Sequence, residues 1–163
     1  VYEADFIDKH NPLRKIPTLV INQLSITDSD NICLYLDFIS KKNTLFPKKN
    51  YWEIMNITSI ANGLMESVLE RRMETIRSEN EKSKSFINKQ EIRIERTIKW
   101  IENNWNNYNN DYLTMDQIAI ACALDYTIFR FNNKWKSENQ KLNEWFEKFI
   151  KKNFMKTTKP YDK

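Results

Sequence analysis

Gly63 is the only glycine among the 163 residues of this chain. Glycine supplies many of the positive-φ conformations that tight turns between strands require, so a large β-sheet would be hard to connect here. Apolar residues make up 40% of the sequence, which is enough for a sizeable core. The sequence therefore predicts a mostly helical protein with few strands.

One stretch, residues 11–37, departs from helical patterning. Thr18–Ile21 is an apolar, β-branched run of strand type, and Leu24–Thr27 alternates as a second strand. Asp28 and Ser29 then supply N-cap chemistry for a helix whose apolar side chains recur at helical spacing. The stretch thus predicts a strand, a turn, a second strand and a capped helix.

The residue order of this stretch resembles the second half of the glutathione transferase N-terminal domain, which has a thioredoxin-like fold. The family pattern N-P-x-G-K-[IV]-P is matched by NPLRKIP at residues 11–17, and [DE]-S-x-x-I-x-x-Y-[IL] is matched by DSDNICLYL at residues 28–36. Arg14 replaces the usual glycine, which leaves open whether that turn keeps the family geometry. The ordered combination is a specific signal, whereas either half alone is weak.

The resemblance implies a glutathione site built from both halves of the pattern. Ile16 would pair through its main chain with the cysteinyl part, beside a cis bond to Pro17, and Lys15 would meet the glycyl carboxylate. Asp28 and Ser29 would hold the γ-glutamyl group, because a helix N-terminus favours a carboxylate and Asp28 would face the α-ammonium. Helix capping alone would also explain these last two residues.

In the resembled family a strand, a helix and a second strand come first, and the first strand carries the thiol-activating residue. Ten residues precede Asn11 here, and they predict a connecting loop. We therefore expect an N-terminally incomplete chain whose catalytic residue is unknown. The expected fold is α+β and mostly α: a partial thioredoxin-like domain, reduced to a strand-strand-helix remnant, followed by an all-α glutathione transferase C-terminal bundle.

A polar, lysine-rich segment with a central proline predicts the domain boundary. We assign residues 1–40 to the partial glutathione-binding domain, residues 41–50 to a linker and residues 51–163 to the all-helical domain.

Apolar periodicity predicts two long helices at the start of the helical domain, over residues 51–81 and about 85–107. The pocket for an electrophilic substrate would be lined from the first of them by Asn62, Glu66 and Arg72. A solvated helix face would account for these three polar residues as well.

Residues 113–131 form a second recognisable stretch, in which Thr114 and Gln117 make a capping-box pattern before a nearly continuous apolar run. It resembles the core helix of the family's C-terminal domain, usually written [ST]-x-x-D-[IL]-A, with Gln117 in place of the aspartate. We assign both residues a structural capping role and expect the helix to be buried. A last amphipathic helix is predicted through Leu142 and Phe146.

Composition and charge indicate which partners and cofactors to expect. The net charge of +4 is spread along the chain without a basic stripe interleaved with aromatic residues, so no nucleic-acid partner is expected. No apolar run approaches the roughly 18 residues of a membrane helix, and we expect a cytoplasmic protein with no membrane partner. His10, Cys33 and Cys122 match no metal-binding spacing, so no metal or cofactor is expected, and both cysteines are predicted to be core residues.

Two functional hypotheses follow from the resemblance. As a bacterial glutathione transferase, the full-length protein would conjugate glutathione, its substrate, to a small electrophile in detoxification, or use it for thiol-dependent reduction. The family also implies a homodimer. Alternatively, the same fold would act as a non-catalytic adaptor resembling the stringent starvation proteins, which loss of the first strand would favour.

Overall fold

The computed structural model describes residues 5–40, 44–106 and 112–161. The chain divides into two compact units, an N-terminal unit ending at Lys48 and a C-terminal unit beginning at Lys49. The first three residues of the predicted linker, 41–43, lie outside the described residues.

The N-terminal unit contains the predicted strand, turn, strand and helix. β1 (Thr18–Ile21) and β2 (Leu24–Thr27) form an antiparallel hairpin, and α2 (Ser29–Ile39) follows β2 directly. Asn22 adopts a φ of 52° in the two-residue turn, a conformation that asparagine tolerates better than most residues other than glycine. The strand-strand-helix prediction is confirmed.

A short helix precedes this hairpin. α1 (Asp5–Asp8) lies where the sequence predicts only a loop, and its Ile7 side chain is buried. The backbone carbonyl of Ile7 accepts hydrogen bonds from the N–H groups of His10 and Asn11, at 2.9 and 2.7 Å. Four residues are too few for periodicity to reveal a helix, and burial of one side chain decides it.

Helices make up the secondary structure of the C-terminal unit in its described residues, as predicted. After a 3₁₀ turn at Lys48–Asn50, they are α3 (Tyr51–Thr75), α4 (Lys84–Asn104), α5 (Met115–Arg130), α6 (Trp135–Glu138), α7 (Gln140–Phe149) and α8 (Asn153–Thr157). Both long helices end earlier than predicted, at Thr75 and Asn104. Polar residues separate them, and Ser83 caps the start of α4, where its hydroxyl accepts from the Phe86 N–H at 3.3 Å. No helix in the described ranges is long and apolar enough to cross a membrane.

α5 is the centre of the C-terminal core and packs most extensively on α3. Its buried residues cover most of its circumference, as the sequence predicts for a nearly continuous apolar run. Small residues allow the close approach: Ala121 and Ala123 on α5 and Ala61 on α3 are fully buried. The prediction that both cysteines are core residues is wrong, because Cys122 faces outward on α5 and Cys33 is only half-buried.

The start of α5 corrects the predicted capping box. Thr114 lies at the N-cap position, but its buried hydroxyl has no hydrogen-bond partner in the described chain, and Gln117 forms no return bond there. One residue before Gln117, Asp116 places a fully buried acidic side chain in the first turn, where the helix dipole favours an acidic group. This side chain accepts a hydrogen bond from Trp105 Nε1 at 3.1 Å and not from the N–H groups of the turn.

α7 is capped by a residue from another helix. Its N-cap residue, Asn139, makes no side-chain capping bond. Instead the Glu102 carboxylate on α4 accepts hydrogen bonds from the backbone N–H groups of Lys141 (3.3 Å) and Leu142 (2.8 Å). Two of the four unpaired N–H groups at this helix end are thereby satisfied by a group that also carries the charge preferred there.

We therefore expect Glu102→Ala to lower the free energy of unfolding by about 1–2 kcal/mol, the usual cost of a lost N-cap. Glu102→Gln keeps an acceptor and should cost about half as much. Urea unfolding followed by circular dichroism measures both, with Glu95→Ala, an exposed glutamate of the same helix, as the control. Equal losses for Glu95→Ala and Glu102→Ala would contradict the capping role.

Candidate functional site

The hairpin register brings the two halves of the sequence pattern together. Thr18 pairs with Thr27, so the residues just outside this pair, Pro17 and Asp28, lie at the same open end of the hairpin. Paired Cα atoms in antiparallel strands are about 4.5–5.5 Å apart, and one step beyond the last pair the chains are still neighbours. The peptide bond between Ile16 and Pro17 is cis.

Ile16 presents a free main chain at this end. The residue is 64% exposed, and its backbone N–H and C=O make no hydrogen bond within the described part of the chain. Pro17 is also exposed. An unpaired N–H and C=O beside a strand are what an extended peptide needs for main-chain pairing.

Asn11 holds the turn that leads into Ile16. Its buried side chain donates from Nδ2 to the Lys15 carbonyl (2.7 Å) and to Thr18 Oγ1 (3.1 Å), and its Oδ1 accepts from the Leu13 N–H (3.0 Å). Thr18 Oγ1 itself donates to the Lys15 carbonyl at 3.0 Å. Sequence reasoning quoted Asn11 within the pattern but gave it no role, and these bonds make it a positioning residue for the Ile16 main chain.

Arg14 resolves the question left open by the missing glycine. It adopts a φ of 52°, so the turn keeps a conformation that glycine would take without strain. Its guanidinium pairs with the Asp8 carboxylate, and this hydrogen-bonded partner lowers the pKa of Asp8 and raises that of Arg14. The pair ties α1 to the turn before the site.

The N-terminus of α2 forms the other side of the open end. Asp28, with φ 74° and ψ 133°, accepts the Asp30 N–H through its side chain at 3.0 Å, and its carbonyl accepts the Ile32 N–H at 3.0 Å. The N–H groups of Ser29 and Asn31 have no partner within the described residues. Free N–H groups and the positive end of the helix dipole favour an anion at this position.

The backbone of Asp28, at the N-terminus of α2, is strained. Its positive φ is rare for a residue other than glycine and costs about 1–3 kcal/mol. Both Asp28 and Ser29 are exposed, so the strained residue faces solvent and not the core. Capping of α2 explains the side-chain bond of Asp28 but does not require this backbone conformation, because N-cap residues usually have β-region angles.

Two further side chains near this end are the amine of Lys15 and the thiol of Cys33. Lys15 is exposed and has no ion-pair partner in the described chain. Partial burial raises the pKa of the Cys33 thiol, and the negative charges of Asp30 and Asp28 raise it further. The thiolate, which is the reactive form, is therefore disfavoured at Cys33.

The three residues predicted to line an electrophile pocket lie on α3. Asn62 is half-buried, and Glu66 and Arg72 are exposed. At 100° per residue, Arg72 is rotated by about 80° from Asn62 and about 120° from Glu66, so the three residues span roughly a third of the helix circumference. Their contact with a substrate stays a prediction.

The sequence matches a family model described as "Glutathione S-transferase, N-terminal domain" over residues 2–43. The uncharacterized GST-like protein YibF of Escherichia coli is 27% identical over 135 residues, which cover 79% of this chain and 67% of that protein.

Solved structures of glutathione transferases have a similar fold. A glutathione transferase family member from Pseudomonas fluorescens Pf-5, with bound glutathione, matches with a TM-score of 0.91 and 26% identity over 98% of this chain and 80% of its own. A glutathione S-transferase from Methylobacillus flagellatus KT, with GSH bound, matches with a TM-score of 0.87 and 26% identity over 95% and 80%. Both sequence and fold thus point to one family.

The Asn11 bonds can be tested by stability. We expect Asn11→Ala to lower the free energy of unfolding by about 2 kcal/mol, because it leaves buried polar groups of the turn without partners. Asn31→Ala removes one exposed side-chain bond, to the Thr27 carbonyl (3.2 Å), and should cost about 0.5 kcal/mol or less. Urea unfolding of both variants checks this, and a similar small loss for the two would remove the positioning role.

Proposed function

Because the chain belongs to the glutathione S-transferase family, we propose that it binds glutathione at the open end of the β1–β2 hairpin and, in the full-length protein, conjugates it to a small electrophile or uses it for thiol-dependent reduction. The observation that carries this proposal is the free main chain of Ile16 beside the unpaired N–H groups at the start of α2.

In this proposal each of the three residues of glutathione binds a different group of the chain. The cysteinyl residue pairs with the N–H and C=O of Ile16, as an added strand pairs with a sheet edge. The γ-glutamyl carboxylate binds the N–H groups of Ser29 and Asn31, and its α-ammonium faces the Asp28 carboxylate. Lys15 is the cation for the glycyl carboxylate.

The chemical step in this proposal is activation of the bound thiol. Lowering the thiol pKa and aligning it with the second substrate provide the catalysis, and glutathione is consumed as a substrate. The residue that activates the thiol is not assigned. The candidates for contacts to the electrophile remain Asn62, Glu66 and Arg72. We propose that the protein acts in detoxification in the cytoplasm.

We also propose that the protein is a homodimer, as closed two-fold assemblies are the commonest oligomers. Sedimentation velocity should give twice the chain mass of 19.7 kDa at micromolar concentration. A species of the chain mass alone would reject the dimer without touching the glutathione proposal.

The decisive variant separates binding from capping at Asp28. Asparagine is as good an N-cap as aspartate, so Asp28→Asn should keep the stability of α2 while removing the charge that faces the α-ammonium. We expect glutathione affinity, measured by isothermal titration calorimetry, to fall about tenfold, which corresponds to about 1.4 kcal/mol. Asp30→Asn loses the same charge two residues along and is the matched control.

Unchanged affinity in Asp28→Asn would leave capping as the only role of this residue. If the parent chain shows no competable retention on immobilised glutathione, the binding proposal itself fails, and the non-catalytic adaptor becomes the better hypothesis.

A further inference from the structure

A lysine-rich segment spans the end of α7 and the short helix α8. Residues 148–161, which we call the lysine segment, contain five lysines and no arginine, aspartate or glutamate. The five are Lys148, Lys151, Lys152, Lys156 and Lys159. Each of them is exposed, and none forms an ion pair within the described residues. Their charges are therefore available to an outside partner.

The charge balance of the chain changes at this segment. Charged residues are spread along the sequence, but residues 148–163 hold six of the 26 basic residues and one of the 22 acidic ones. Residues 1–147 are left with 20 basic and 21 acidic residues, a net charge of −1, so the positive net charge of the chain comes from residues 148–163. A basic segment on a nearly neutral chain attracts anions to one place.

Core contacts fix the lysine segment to the C-terminal unit. Met155 is buried, and the Phe154 ring packs edge-on against Phe149 with a centroid distance of 5.9 Å. The Lys152 carbonyl accepts from the N–H groups of Met155 and Lys156, at 3.1 and 3.2 Å, which forms the first turn of α8. Because the backbone already has this conformation, binding would cost little further ordering of the chain.

The acidic residues just before the segment do not neutralise it. Glu147 is next to Lys148 in the sequence, but its carboxylate pairs with Lys136 Nζ at 2.8 Å. Glu144, one turn before Lys148, is exposed and forms no ion pair in the described chain. Even with the charge of Glu144 counted, the lysine segment stays strongly positive.

We propose that the lysine segment binds the anionic surface of a phospholipid membrane and holds the protein there as a peripheral contact. A negatively charged bilayer attracts clustered lysines, each of which adds about fivefold in affinity. Lysine is a compact charge on a flexible stem, so several of them can follow headgroups that have no fixed arrangement. Tyr161, 73% exposed, adds an amphipathic ring of the kind enriched at membrane interfaces.

Nucleic acid is the other large anion to consider, and the segment suits it less well. Bidentate recognition of phosphates and bases uses arginine, which the segment lacks. Single strands also need rings on which bases stack, but the Phe154 ring is already packed on Phe149. The expectation of no membrane partner rested on the lack of a long apolar run, and binding to the membrane surface requires none.

Co-sedimentation with vesicles tests the proposal on the whole chain. Vesicles of equal parts phosphatidylglycerol and phosphatidylcholine are the probe, and vesicles of phosphatidylcholine alone are the neutral control. We expect the anionic vesicles to bind the protein at least about tenfold more tightly than the neutral ones do. The protein should be released when the salt is raised from about 0.1 M to about 1 M, because the screening length then falls from about 10 Å to about 3 Å.

A triple variant inside the segment tests the lysines themselves. Lys151→Gln, Lys156→Gln and Lys159→Gln together should lower the affinity for anionic vesicles at least about tenfold. Arginine at the same three positions keeps the charge and should keep the binding, because charge and not hydrogen-bond geometry drives it. Circular dichroism reports whether each variant keeps its helices.

A second triple variant removes the same charge elsewhere. Lys89→Gln, Lys99→Gln and Lys134→Gln replace exposed lysines outside the segment. This control should bind anionic vesicles within about twofold of the parent chain, because charges far from the membrane are screened by salt.

A loss of vesicle binding confined to the first glutamine variant supports the proposal. No binding to anionic vesicles, equal binding to both lipid mixtures, or the same loss in both glutamine variants overturns it. A DNA duplex is titrated in parallel. If DNA binding and not vesicle binding depends on the three lysines, the segment is a nucleic-acid surface and the membrane proposal is rejected.

Discussion

The antiparallel register of β1 and β2 is the constraint on which the candidate site depends. Pairing of Thr18 with Thr27 leaves the chain just before β1 and the chain just after β2 at one end of the hairpin. A slip of one residue would exchange the faces of a strand and separate Ile16 from the start of α2. Asn11 reinforces the register from outside the hairpin, because its bond to Thr18 ties the incoming turn to the first residue of β1.

Electrostatics at this end is mixed in sign. The N–H groups at the start of α2 and the Lys15 ammonium favour anions. Asp28 and Asp30 carry negative charge close by. Partial burial, together with these two charges, raises the pKa of the Cys33 thiol. A ligand with a carboxylate and an ammonium on the same carbon fits such a pattern better than a simple anion does. The γ-glutamyl end of glutathione has this combination.

In the C-terminal unit, polar groups form hydrogen bonds between elements around the apolar core. Asp116 and Trp105 pair inside it, and Glu102 caps α7 from α4. These bonds join elements distant in sequence, so they fix how the helices pack as well as stabilising each helix end. Other buried polar atoms of the described residues, among them Thr114 Oγ1, Trp135 Nε1 and Asn139 Oδ1, have no protein partner.

The sequence by itself determined the order of elements in the N-terminal unit and the mostly helical C-terminal unit, because strand alternation, N-cap chemistry and helical periodicity are local signals. It also singled out Ile16, Pro17, Asp28 and Ser29, although whether they bind glutathione remains a proposal. Local signals failed at α1 and at Cys122, where a few contacts and the rotation of one helix set the burial.

Only the tertiary structure decided which polar groups meet. The Asn11 bonds, the Asp8–Arg14 pair and the capping of α7 by Glu102 need distances that pattern and propensity do not encode. The same holds for the start of α5. The sequence pattern predicted a capping bond from Thr114, whereas in the structure Thr114 makes none and the Asp116 side chain is fully buried. Sequence periodicity reports which side of an element is apolar, whereas a hydrogen bond between elements depends on how their packed faces are aligned.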